Sequence, residues 1–274
     1  MSGFQNVVAY AVGPKGSGKT AALWELFIQR HPRRLSIDLN GEMVELRDEL
    51  VSKGMLDNAS NPTVVQVFSL EELRRALRVA AGYSRWHIAL CIPPAAVGDV
   101  APELARILNP TKASEEHQSF SKAVGSIAVD CSEASKLIPN GRAHRDMLGL
   151  FQTGRHNWLH LLMASQTPAK VDPECRNAAD FFLAFRTQET TVWKYWADVA
   201  SGAIADVVSE LPRFHCAYFV KAEQRVYVLD DKRRPYRVLD YQGREIGARA
   251  AAPDPSLNEP GRHRPARSAR VATE

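Results

Sequence analysis

Short apolar runs alternate with amphipathic stretches along most of the chain. The run at 6–12 predicts a buried strand, followed by a glycine-rich loop. A helix to about residue 30 comes next, with Leu23, Leu26 and Phe27 on one face. Residues 35–39 predict a second strand, 42–54 a helix, and the β-branched 64–68 a third strand. Ser69 and Glu72 form a capping box that opens the next helix. Leu70, Leu73 and Leu77 make its apolar face, and Arg74, Arg75 and Arg78 fall on its solvated face. Further strands are predicted at 87–92, at 126–130, which ends in an acid, at 159–165, which runs into Gln166, and at 181–185, which runs into Arg186. One or two helices are expected within 99–124, around a polar stretch at 109–119. A turn at 139–141 precedes a helix to about residue 153, and 190–210 predicts another helix. Residues 214–220 and 225–229 form a closing antiparallel pair around Glu223 and Gln224.

Strands that alternate with helices predict an α/β fold: a mostly parallel central sheet flanked by helices, with antiparallel strands near the C-terminus. The 274 residues suit one large domain, expected over 1–248. From Arg249 the composition turns to Ala, Pro and Arg, so 249–274 is expected to be a disordered basic tail. Its Arg262, Arg264, Arg267 and Arg270 read first as solvated side chains and second as a nucleic-acid arm. The composition is that of a globular protein, 45% hydrophobic and 24% charged. A net charge of +4, spread along the chain, permits a polyanionic partner without demanding one. No apolar run approaches the ~18 residues of a membrane span. No basic region followed by an apolar run opens the chain, so no secretory leader is expected. Cys91, Cys131, Cys175 and Cys216 stand far apart, form no metal knuckle, and read as buried free thiols of a reducing compartment.

The glycine-rich loop carries the chemistry. Gly13, Pro14, Lys15, Gly16, Ser17, Gly18, Lys19 and Thr20 match G-x-x-x-x-G-K-[ST] at every position. Glycines let the backbone take positive φ and approach phosphates, and successive N–H groups then form an anion nest at a helix N-terminus. The expected ligands are ATP and Mg²⁺, with Lys19 on the β- and γ-phosphates and the Thr20 hydroxyl on the metal. Hydrolysis also needs acids at neighbouring strand ends. Asp130 is the first candidate for Mg²⁺, with Asp38 as a weaker rival, and Glu133 is the candidate that orients the attacking water. Gln166 is placed to sense the γ-phosphate, while Arg155 and Arg186 are candidate arginine fingers. Each also has a bland reading: a first-turn helix acid, a strand-end amide, a solvated arginine.

The order of these features resembles that of a known superfamily. A P-loop comes first, then an acid-terminated strand, Gly-Arg155-His, a strand ending Ala-Ser-Gln166-Thr-Pro168, and a strand ending Phe185-Arg186. Over about residues 6–230 this resembles the FtsK/HerA superfamily of DNA-pumping ATPases, which have a RecA-type core. Within it the likeness is to genome-packaging ATPases of tailless, double-jelly-roll viruses, many with an internal membrane. The spacing of Asp130 and Glu133 departs from the usual adjacent Asp-Glu pair. The resemblance implies an ATP-hydrolysing translocase of double-stranded DNA, gripped without regard to sequence, that forms a homo-oligomeric ring, often a hexamer. It further implies capsid or portal-vertex partners and a place in the host cytoplasm and the virion. Lys112 and Lys122 are candidates to grip the duplex. Other readings are a conjugation- or plasmid-type DNA motor, a filamentous-phage assembly ATPase like the zonula occludens toxins, and a small-molecule kinase.

Overall fold

The apolar runs lie side by side in the computed structural model, which describes residues 7–54, 62–108, 126–153 and 159–247. The strands are β1 (Val8–Val12), β2 (Arg33–Asp38), β3 (Val64–Val67), β4 (Trp86–Cys91), β5 (Ile127–Cys131), β6 (Leu159–Ser165), β7 (Phe181–Phe185), β8 (Cys216–Val220), β9 (Arg225–Leu229), β10 (Pro235–Asp240) and β11 (Glu245–Gly247). They form one sheet in the order β11-β10-β9-β8-β7-β1-β6-β5-β2-β4-β3. Every neighbouring pair from β7 to β3 is parallel. Every pair from β7 to β11 is antiparallel. The α/β architecture with antiparallel C-terminal strands is therefore the observed one, and the closing pair is the start of a longer extension.

Side chains alternate across a strand, so each strand feeds two cores. On β1, Val8, Tyr10 and Val12 join the core under α3 (Leu70–Ala80), α4 (Val97–Leu108) and the later helices. Ala9 and Ala11 face the other side, with Ala164 of β6, Ala128 of β5 and Ala89 of β4. This shelf of small residues lets α1 (Lys19–Leu26) press Trp24 onto the sheet, and α2 (Met43–Ser52) covers the same face. Trp24 donates its indole N–H to Asp130 Oδ2 at 3.2 Å and packs 5.1 Å from the His87 ring, while His87 Nε2 lies 2.9 Å from Ser36 Oγ. The polar groups of this face are thus enclosed under α1.

Several elements differ from the expectation. The helix after the glycine-rich loop ends at Leu26 and continues as a 3-10 turn, Ile28–Arg30. The stretch 190–210 is two helices, Thr190–Val199 and Gly202–Glu210, because the Ser201 hydroxyl accepts the Ile204 N–H and restarts the chain as an N-cap. Of the segment 99–124, residues to Leu108 belong to α4. Residues 109–122 with Lys112 and Lys122, the Gly-Arg155-His segment, and residues 249–274 lie outside the described residues. All four cysteines are free and buried. No helix among the described residues is long and apolar enough to cross a membrane.

Burial pushes the His87 and His160 imidazoles down to about 3 and His31 to about 4. His31 and His160 stack at 4.1 Å, and His160 Nδ1 accepts the Val7 N–H. An unfolded chain binds protons at these residues below about 6.5 while the folded one does not. Their effect is absent above that pH, and they progressively destabilise the fold as pH falls towards 4. We expect His87→Gln, which can keep the Ser36 contact, to lose about 2 kcal/mol less than wild type between pH 7 and pH 5 in urea unfolding.

Candidate active site

The glycine-rich loop leaves β1 at the carboxyl edge of the parallel strands and enters α1. Its first glycine is confined: a Cβ on Gly13 would lie 2.6 Å from Phe185 Cβ and 3.0 Å from Ser17 Oγ. Gly16 and Gly18 have φ of 72° and 92°, which L side chains rarely adopt. Gly18 caps α1 in a left-handed conformation, and no acid occupies the first turn, so the helix N-terminus stays open to an anion. Lys19 Nζ donates to the Pro14 carbonyl at 2.8 Å, closing the loop on itself. Burial lowers the Lys19 ammonium to about 8, and the carboxylate of Glu133 opposes that shift.

A cleft of about 640 Å³ opens beside the loop. Lys15, Gly16, Lys19 and Thr20 line one wall, and Ser132, Glu133, Ser165 and Gln166 another. β6 is hydrogen-bonded directly to β1, and β5 to β6, so the ends of two adjacent strands bring Gln166 and Glu133 to the loop. Asp38, Glu42 just before α2, and Glu45 and Glu49 of α2 close the third side.

Asp130 is placed differently from the other candidates. It is 1% exposed and does not line the cleft. Its Oδ2 takes the Trp24 N–H, and Ser132 Oγ donates to Oδ1 at 3.1 Å, so Ser132 stands between the acid and the cleft. Burial raises the Asp130 carboxyl to about 6, against the two hydrogen bonds. Asp38 holds the turn that leads into α2: Oδ1 accepts the N–H groups of Asn40, Gly41 and Glu42, and Oδ2 that of Met43 at 3.0 Å. Those four bonds account for its place at a strand end. Arg186 is exposed just after β7 and is not among the cleft-lining residues. Arg155 lies outside the described residues.

No protein-family model and no curated protein matches the chain. Solved structures do. The genome-packaging NTPase B204 of Sulfolobus turreted icosahedral virus 2, in complex with AMP, superposes with a TM-score of 0.59 at 16% identity, covering 82% of this chain and 96% of that one. The same protein with ATP-gammaS gives 0.58 at 15% identity, over 82% and 96%. B204 of Sulfolobus turreted icosahedral virus, the DNA-packaging ATPase, gives 0.55 at 14% identity, over 81% and 96%. The chain has a P-loop ATPase fold. At these identities the likeness is one of fold.

Residues that sequence reasoning did not single out also reach the loop. Arg233, in the turn between β9 and β10, donates from Nε to Glu25 Oε2 of α1 at 2.8 Å and lies 5.9 Å from the Phe185 ring. Its positive φ of 60° offered no sequence signal, since the residue is not glycine.

The P-loop ATPase fold makes one sharp demand on packing. Gly13→Ala must displace Phe185 and is expected to cost about 1–3 kcal/mol. Gly98→Ala, exposed in α4 with nothing within 4 Å of its new Cβ, should be neutral or stabilising by up to about 1 kcal/mol. Thermal unfolding of the two variants beside wild type checks the contrast.

Proposed function

We propose that the protein is an ATP-hydrolysing translocase of double-stranded DNA that packages a viral genome into a preformed capsid. The observation that carries the ATPase part is the convergence of Lys19 and Thr20 with Glu133 and Gln166 on one cleft. The packaging part is supported by the fold shared with the packaging NTPase B204 over most of both chains.

Lys19 and the loop N–H groups bind the β- and γ-phosphates, and the open N-terminus of α1 adds its positive end. Glu133 orients a water whose oxygen bonds to the γ-phosphorus as the bond to the ADP oxygen breaks, and its carboxylate takes the water's proton. Gln166 contacts the γ-phosphate and reports its loss to β6. The hydroxyl of Thr20 and the carboxylates nearby are hard oxygen donors, which suit Mg²⁺ held largely by phosphates and water. Mg²⁺ would neutralise charge that develops on the phosphates. Asp130 accepts the Ser132 O–H and so fixes Ser132 Oγ at the cleft, where its lone pairs would face the metal's surroundings. Arg186, exposed at the carboxyl edge, is the described candidate to reach a neighbouring subunit's γ-phosphate in a homo-oligomeric ring. Duplex DNA is held by charge and backbone contacts without sequence readout, and capsid or portal-vertex proteins are the docking partners.

ATP turnover, followed by phosphate release with and without long duplex DNA, tests this reading. Slow basal turnover and stimulation by DNA are expected, with Lys19→Ala and Glu133→Gln each about 100-fold slower or worse. Full activity in Glu133→Gln would reassign the water-orienting acid. An active enzyme indifferent to DNA would sink the motor reading and favour a small-molecule kinase. A DNA-stimulated enzyme that never co-sediments with capsids would point to conjugation or phage assembly.

A further inference from the structure

Glu133 and Gln166 lie on the β5 and β6 side of the glycine-rich loop, so the terminal phosphate of a bound nucleotide belongs there. The nucleoside end must then leave towards the opposite side, where β7 and β8 stand. β8 begins at Cys216, opposite Phe185 at the end of β7, and β9 ends at Leu229, opposite Cys216. The residues just before β8 and just after β9 therefore sit at the same edge as the loop. Two of them touch it: Phe214 Cδ1 and Arg233 Nη2 each lie 3.5 Å from where a Cβ on Gly18 would be.

We propose that Arg213 and Phe214, fixed by Arg233, form the platform on which the base of a nucleoside triphosphate stacks. The proposal rests on the reading of Gly13–Thr20 as a triphosphate site. Phe214 is 40% exposed although it is a large apolar residue at the mouth of the loop. The loop meets its ring at an edge carbon, and the Arg213 guanidinium covers one face at 4.7 Å, an arrangement that can extend to an Arg–Phe–base stack.

The ring is held in place at a conformational cost. Phe214 and Arg233 have φ of 66° and 60°, and among the described residues only Gln224 shares that non-glycine conformation. Such strain persists where surrounding contacts over-determine it, and it concentrates at binding sites. Here the contacts come from one buried guanidinium. Arg233 Nη1 donates to the Phe214 carbonyl at 2.7 Å, and Nε to Glu25 Oε2 at 2.8 Å, with both side chains of that pair under 10% exposed (7% and 9%). α1, which would carry the phosphates, and the ring, which would carry the base, thus hang from one side chain.

Calorimetric titration of the full chain with a non-hydrolysable ATP analogue, and separately with inorganic tripolyphosphate, tests the platform. Phe214→Ala should weaken the ATP analogue about tenfold and leave tripolyphosphate unchanged. Phe214→Trp, which keeps a ring, should stay within about twofold of wild type for both. Unchanged analogue binding in Phe214→Ala overturns the proposal. So does an equal loss of both ligands, which would make the ring a prop of the loop, or a loss in Phe214→Trp as large as in Phe214→Ala. If wild type binds no tripolyphosphate, or Lys19→Ala binds the analogue normally, the triphosphate-site reading itself fails.

Discussion

The approach of Gly13 to the end of β7 is the constraint around which this edge of the molecule is arranged. With a Cβ excluded at 2.6 Å from Phe185 Cβ, the loop can turn directly over the strand that β1 pairs with on that side. Phe185 is 1% exposed, so it cannot swing away to make room. Arg233 lies 5.9 Å from the same ring and reaches back to Glu25 of α1. Loop, helix and antiparallel extension are therefore packed as one unit. The C-terminal strands act as a buttress for the loop rather than as a separate appendage.

A second constraint lies beneath α1. A sheet face of alanines with Ser36, His87 and Asp130 is poor in apolar bulk, and Trp24 fills the space that results. Its indole N–H also supplies a partner for a carboxylate that would otherwise be buried with the Ser132 hydroxyl alone. Asp130 thus links the helix that follows the loop to the turn that carries Ser132 and Glu133.

What could be read from the chain depended on range. The loop was legible because eight consecutive residues state its geometry, and the parallel strands because buried strands are uninterrupted apolar runs. β10 and β11 were not, since their side chains are largely half-exposed or exposed and their pairing carries a register irregularity. The break between Val199 and Gly202 was legible in principle, as Ser201-Gly202 is an N-cap signal inside an apolar pattern. The strand that carries Asp130 is legible as an apolar run, though it ends one residue later, at Cys131, and the cover of the acid by Trp24 joins residues 106 apart in the chain. Arg233 and Glu25 are 208 apart, and nothing local marks either one.

The same geometry explains the spacing that departs from an adjacent Asp-Glu pair. β5 does not stop at Asp130; it runs one residue further, to Cys131. Successive side chains on a strand point to opposite faces, and Cys131 is accordingly buried in the core on the far side from α1. A glutamate directly after Asp130 would be driven into that core, away from Lys19. The chain must first leave the strand. It does so at Ser132, and Glu133 then opens the short helix Ala134–Leu137 at the cleft. The two acids consequently sit in different surroundings, one enclosed and bonded to Ser132, the other lining the cleft beside the loop. Of the two intervening residues, Cys131 completes the strand and Ser132 makes the exit from it.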